Sequence, residues 1–341
     1  MSRKIFLLAA AAVLLLTGCS AAAPAETSEI PQEETAAQSA GIADGVFTDS
    51  DKEFQVAVPA GWREDPALSD RDRTVLLSPG GESSVELRKQ SPDPNLLAYD
   101  KTDFEESYRE KYEAFRLKTF SSVKGQGNKG VYLEFTCRKN KLTYTVYQAV
   151  FAGDYDYNIA YSTVSADKQF AAMAKKNLET FREIDPLNDA GVLPGRLDGR
   201  NYLSAEGTYS LTLPKNWRVT KQEAESVLFA DKTGRYNINL MIGAKDKKLF
   251  SYKKSYFTDY FKETLDSSVA LKKLETVTAG KNKARYLECA YSYDGQNLYA
   301  KQYLINSGKH TYTLTLTAPA ALKDKVDFSA VANSFSAKAT S

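Results

Sequence analysis

The stretch "FQVAVPAGWRE", which starts at Phe54, returns as "YSLTLPKNWRV" from Tyr209. Each copy has an apolar alternation, a proline, two further residues, a tryptophan and an arginine. The two tryptophans, Trp62 and Trp217, lie about 155 positions apart, so a segment of domain size separates them. A chain that repeats itself at this interval is confined to two copies of one domain, each burying its own core.

The correspondence extends beyond the tryptophans. Each half reads as three short strands, a helix, a run of four strands and a closing helix. In the first half, strands are expected near 54–58, 73–78 and 83–89, with "SPGG" turning between the second and third. The "ADKTG" segment makes the same turn between "SVLF" and "YNINLMI" in the second. An apolar stripe at helical spacing follows, Phe104, Tyr108, Tyr112 and Phe115 in one copy and Tyr256, Tyr260, Phe261 and Leu265 in the other. Three of the next four strands are placeable near 129–137, 141–151 and 156–164, joined by hairpin turns such as "AGDYD", so the sheet should be antiparallel. A short amphipathic helix ends each copy: Phe170, Met173, Ala174, Leu178 and Phe181 are answered by Phe328, Val331, Ala332 and Phe335. The expected class is α+β, with a central antiparallel sheet flanked by helices in each domain, an α/β/α sandwich.

The strand order, and above all the "VPAGW" opening on a strand, resembles the PsbP-like family, which includes DcrB-like bacterial envelope lipoproteins. The resemblance spans both halves, giving two tandem PsbP-like domains. It implies a non-enzymatic role in which the protein docks onto a larger assembly. It carries over no ligand residue.

The N-terminus reads as an export leader. Arg3 and Lys4 precede an apolar run from Ile5 to Leu16 that is too short to span a bilayer. Leu16, Thr17, Gly18 and Cys19 then match the lipobox of bacterial lipoproteins, where the cysteine thiol takes a diacylglycerol. Palmitate-type chains on Cys19 would hold the protein on the extracytoplasmic face of the cell membrane, each buried methylene contributing about 0.8 kcal/mol. The expected division is a signal peptide over 1–18, a lipidated cysteine with a disordered acidic tether over 19–50, a first domain over 51–185, a linker over 186–200 and a second domain over 201–341. The tether assignment rests on six acids and no lysine or arginine between 20 and 50.

Charge is balanced over the whole chain, with 45 basic and 43 acidic residues, which argues against nucleic-acid binding. Its distribution is uneven: residues 50–185 carry 20 basic and 22 acidic side chains, and residues 201–341 carry 21 and 13. Lys245, Lys247, Lys248, Lys253 and Lys254 cluster around the first helix of the second copy, with Lys281, Lys283 and Arg285 before its ladder. These eight are the candidate binding residues for an anionic partner, either an envelope protein or an anionic polymer.

Catalytic schemes find little to use. The chain has one histidine, His310, in a turn, and Cys137 and Cys289 sit on apolar faces of matching strands. No metal-ligand spacing and no phosphate-loop pattern stands out, so neither a cofactor nor a metal is expected. The expected function is a membrane-anchored, non-catalytic docking or scaffold lipoprotein. The alternative is a receptor for a small ligand or an anionic polymer, working with a transporter or the cell wall.

Overall fold

The computed structural model describes residues 41–70, 72–184, 195–264 and 267–338. The leader, the lipobox with Cys19, tether residues 19–40, linker residues 186–194 and Leu265 lie outside the described residues. The chain divides into two units at Pro194 and Gly195.

The first unit opens with strands β1 (Gly41–Ala43), β2 (Val46–Thr48), β3 (Phe54–Ala57), β4 (Arg63–Glu64), β5 (Arg73–Leu77) and β6 (Ser83–Gln90). Helix α1 (Lys101–Lys111) follows a 3-10 turn at Leu96–Ala98. Then come β7 (Glu113–Lys124), β8 (Lys129–Lys139), β9 (Leu142–Ala152), β10 (Asp156–Thr163), α2 (Lys168–Leu178) and β11 (Arg182–Glu183). The strands form two antiparallel sheets, one in the order β1-β2-β3-β11 and one in the order β4-β5-β6-β10-β9-β8-β7.

The second unit repeats this plan. Its strands are β12 (Arg196–Asp198), β13 (Asn201–Leu203), β14 (Tyr209–Thr212), β15 (Trp217–Glu223), β16 (Ser226–Asp231) and β17 (Asn237–Ala244). After a 3-10 turn at Leu249–Ser251 come α3 (Lys254–Thr264), β18 (Ala270–Ala279), β19 (Asn282–Tyr293), β20 (Gln296–Ser307), β21 (His310–Pro319), α4 (Phe328–Ser334) and β22 (Ser336–Ala337). Its sheets run β12-β13-β14-β22 and β15-β16-β17-β21-β20-β19-β18, the same order as before. Two tandem α+β domains are therefore present.

The seven-stranded sheet is the middle layer of each domain. On one face of the first, Leu96, Phe104 and Tyr108 pack on Val131, Leu133, Phe135 and Cys137, which alternate along β8. On the other face, the small sheet, α2 and the turn after it supply Phe47, Phe54, Ala174, Leu178 and Phe181 against Val85, Tyr157, Ile159 and Tyr161. Central β10 is covered on both sides, with Ile159 paired to Leu87 on β6 and Ala149 on β9. Helix α1 starts where Asp100 and Asp103 form a reciprocal capping box: the Asp100 carboxylate accepts from the Asp103 amide at 3.1 Å, and the Asp103 carboxylate accepts from the Asp100 amide at 2.8 Å.

Three sequence expectations need correction. Residues 41–50 were expected in the tether, but 41–48 form the β1–β2 hairpin, whose turn residues Asp44 and Gly45 both have positive φ. Phe47, at 1% exposure, anchors it in the core. Residues 195–200 were expected in the linker, yet β12 pairs with β13 there. Tyr112 and Phe115 were expected on the first helix. That helix stops at Lys111, Tyr112 is its extended cap, and Phe115 lies on β7 beyond Ala114, whose φ is 52°. The aromatic run continues past the helix because β7 returns beneath it, bringing Phe115 against Tyr108 and Phe135.

Candidate functional site

The segment from Lys245 to Lys254 leaves β17, makes the 3-10 turn and enters α3. Polar bonds fix it to the end of the large sheet. The Asp246 amide donates to Thr311 Oγ1 and Asn306 Nδ2 donates to the Asp246 carbonyl, both at 2.8 Å. Asp246 Oδ1 accepts from the Lys248 amide at 2.8 Å, which shapes the turn. Leu249 drops into the core, fastening the loop from beneath.

Strand β19 brings the second set of cations to the same end. Lys283 and Arg285 share the face of β19 that carries Leu287 and Cys289, which is the face packed by α3. The Lys283 ammonium lies 4.6 Å from the centre of the Phe250 ring. One Arg285 Nη donates to the Tyr252 carbonyl at 2.7 Å and the other to Thr276 Oγ1 at 2.9 Å. Arg285 is thus a half-buried strut, and its charge is held in place.

Of the eight residues expected from the sequence, Lys247, Lys248, Lys253, Lys254, Lys283 and Arg285 gather around the 3-10 turn and the start of α3. Lys245 turns to the neighbouring hairpin, where its Nζ donates to the Gly308 carbonyl at 3.1 Å. Lys281 belongs to the β18–β19 turn, which packs on the residues closing α4: a Cβ on Gly280 would lie 2.6 Å from the Phe335 carbonyl oxygen. Sequence reasoning missed Lys309, whose carbonyl accepts from the Lys245 amide at 2.9 Å and which joins the same sheet end. It also missed Phe250 and Tyr252 as the carbon surface among the cations. Tyr252 stacks on Tyr256 with ring centres 4.0 Å apart. Burial, and then the Asp246 carboxylate, push the Tyr252 phenol up to about 12, so it stays neutral and adds no negative charge here.

The first domain supplies an internal comparison, because its matching loop makes the same bonds. The Asn95 amide donates to the Asp93 carboxylate at 2.8 Å, as Lys248 does to Asp246. In that frame Lys245, Lys247, Lys248 and Lys253 stand where the first domain has Pro92, Pro94, Asn95 and Asp100. The backbone is shared and these four charges are not, whereas Lys254 at the start of α3 stands where α1 begins with Lys101.

Both free thiols are buried, and burial raises both, Cys289 to about 12. His310 opens β21 with its ring 6.0 Å from that of Tyr312. Asp49, Asp51 and Glu53 bring carboxylate oxygens within 4.8 Å of one another. The Lys89 ammonium sits on this group, 2.5 Å from Glu53 and 3.3 Å from Asp51. Trp62 packs edge-on to Tyr161 at 6.2 Å, in a core role. Among the described residues no helix is long and apolar enough to cross a membrane.

No protein-family model and no curated protein matches this chain. Among solved structures, it is similar to a protein of Bacteroides thetaiotaomicron VPI-5482, with 14% identity, TM-score 0.30, and coverage of 42% of this chain and 49% of that one. The match thus spans about half of that protein's length. A second similar structure is cyanobacterial PsbP from Synechocystis sp. PCC 6803, with 17% identity, TM-score 0.33, and coverage of 40% of this chain and 91% of that one. A third is LpqN, involved in cell envelope biogenesis of Mycobacterium tuberculosis, with 16% identity, TM-score 0.29, and coverage of 44% and 86%. The architecture expected from the sequence, two tandem α+β domains each with a central antiparallel sheet flanked by helices, is the one the structure has.

Proposed function

We propose that this protein is a lipid-anchored, non-catalytic docking protein of the bacterial envelope, held to the membrane through Cys19 and engaging an acidic partner surface with the sheet end of its second domain. The observation that carries this reading is the contrast between duplicated loops. Two copies of one backbone make the same turn, and only the second sets Lys245, Lys247, Lys248 and Lys253 upon it. A lysine surface kept only for solubility has no reason to concentrate on one loop of one copy. Phe250 and Tyr252 among the cations provide the carbon contact that electrostatic steering alone lacks.

The non-catalytic part of the reading is supported by the buried thiols and by the single histidine. The test is reversal of Lys247, Lys248, Lys253 and Lys254 to Glu, followed by crosslinking in the native cell and identification of the captured protein. The expected result is loss of a near-stoichiometric partner with thermal stability unchanged; undiminished capture would refute the assignment. In a parallel arm, Cys19→Ala should release the protein from membranes.

A further inference from the structure

The opposite end of the second large sheet carries a different feature. A groove of about 750 Å³ opens between the β14–β15 turn, the β16–β17 turn and the segment leading into α4. Four cations line it: Arg200, Lys215, Lys232 and Lys325. Pro214 and Val326 supply half-buried carbon surface, Trp217 lies buried beneath the groove, and Tyr236 is half-buried on the wall. The volume falls within the roughly 300–1,000 Å³ that small-ligand sites occupy.

Two carboxylates also reach the groove, and both are engaged by their own turns. Asp231 accepts from the Tyr236 amide at 3.0 Å and the Thr233 amide at 3.1 Å. Asp327 caps α4, accepting from the Ala330 amide at 3.1 Å and Ser329 Oγ at 2.6 Å. Four cations against two acids leave the groove net positive, and Arg200 is itself positioned by its Nε, which donates to the Leu213 carbonyl at 2.8 Å.

The duplication shows that this charge is not a demand of the fold. The Leu213 amide donates to the Arg200 carbonyl at 2.8 Å, as the Val58 amide does to Gly45. Asp231 and Tyr236 close their turn with the bond that Ser78 and Ser83 make, and Asp167 caps α2 as Asp327 caps α4. Through these shared bonds, Arg200, Lys215 and Lys232 correspond to Gly45, Ala60 and Pro79, and Lys325, two residues before its cap, corresponds to Ser165. Four neutral residues in one copy answer four cations in the other. In the first domain Pro79 leans on the turn before Trp62, 3.6 Å from where a Cβ on Gly61 would sit.

From this geometry we propose that the groove beside Trp217 binds a multiply phosphorylated polyol or sugar. Several cations spaced around one small groove match a ligand with several separated charges. Lysine serves phosphate as a point charge needing no bidentate geometry, and Arg200 adds a planar donor. The carbon surface from Pro214 and Val326 suits a polyol or sugar skeleton between the phosphates. This site is separate from the sheet end described above and stands whether or not that end docks a partner.

The test is calorimetric titration of the full chain in detergent with inositol hexakisphosphate and with a short glycerol phosphate oligomer, using citrate and sucrose as controls. The phosphorylated ligands should bind, and more weakly as salt rises from about 50 to 200 mM. The triple substitution Lys215→Ala, Lys232→Ala and Lys325→Ala should weaken binding at least about tenfold, whereas Lys247→Glu with Lys248→Glu should leave it unchanged. A preference for the inositol phosphate identifies a free small molecule, and a preference for the oligomer identifies a polymer segment. Absence of binding by both ligands, unchanged binding by the triple variant, or an equal loss in the sheet-end variant would overturn the proposal.

Discussion

Phe181 sits where every layer on one face of the first large sheet converges, and its removal is the sharpest test of the packing. The side chain is fully buried. Its ring stacks on Phe151 of β9 at 4.4 Å with planes 8° apart, and meets Tyr157 of β10 at 5.1 Å and Phe54 of β3 at 6.0 Å. The residue cannot shift to heal a cavity, because its carbonyl accepts from the Gln126 amide at 2.6 Å and its amide donates to Leu178 at 3.2 Å. Phe181→Ala should therefore cost near the top of the range of about 3–5 kcal/mol for such a truncation. At roughly 2–4 °C per kcal/mol for a domain near this size, the unfolding midpoint of the first unit should fall by about 10–15 °C. Urea denaturation and differential scanning calorimetry of the full chain read both quantities, and Phe181→Leu, which keeps most of the volume, should lose less than half as much. A loss below about 1 kcal/mol for the alanine variant would mean that the small sheet, α2 and the large sheet do not share one core.

Two further outcomes follow from the second unit. Gly280→Ala should destabilise by more than the roughly 1–2 kcal/mol of a left-handed alanine, because φ is +58° and the new Cβ would lie 2.6 Å from the Phe335 carbonyl oxygen. Gly295→Ala, with φ +72° and no atom within 4 Å, should lose only the conformational part, and equal losses in a urea titration would refute the close approach. Glu288 is pushed up by burial but brought below its ordinary value of 4.5 on balance by the Tyr286 and Tyr299 hydroxyls, with Lys301 and Lys273 adding to the effect. A depressed carboxylate stabilises the fold above its unfolded value and loses that contribution as pH falls through its folded one. The stability gap between the native chain and Glu288→Gln should thus be constant above about pH 5 and close as pH falls below 4.5. A gap that widens in acid would contradict the assignment.

The duplicated architecture was legible because its strongest signals are local: the proline-to-tryptophan turn, the hairpin glycines and the apolar alternation of β8 and β19. The outer strands β7 and β18 could not be placed, since an edge strand buries too little on either face to leave a clear alternation; β7 is exposed at most of its positions. The hairpin at 41–48 was hidden differently. It sits in an acidic, alanine-rich context that outweighed the Asp44-Gly45 turn signal, and Phe47 alone among its residues is deeply buried. The candidate sites divide in the same way. Lys245 to Lys254 are nearly contiguous, so their density shows in one dimension. Arg200, Lys215, Lys232 and Lys325 are drawn from four separate connections, and only the folded sheet brings them to one groove.

The opening hairpins also decide where each half can be cut from the gene. A fragment beginning at residue 51 removes β1 and β2, stripping β3 of its partner along Val46–Thr48 and uncovering Phe54 and Val56 where Phe47 had covered them. A fragment beginning at residue 201 loses only β12, and β13 still shields β14 through Tyr202 and Leu211. Each module accordingly needs its opening hairpin, β1–β2 in the first and β12–β13 in the second, and an expression clone of the first half beginning at residue 51 would expose a sticky strand edge.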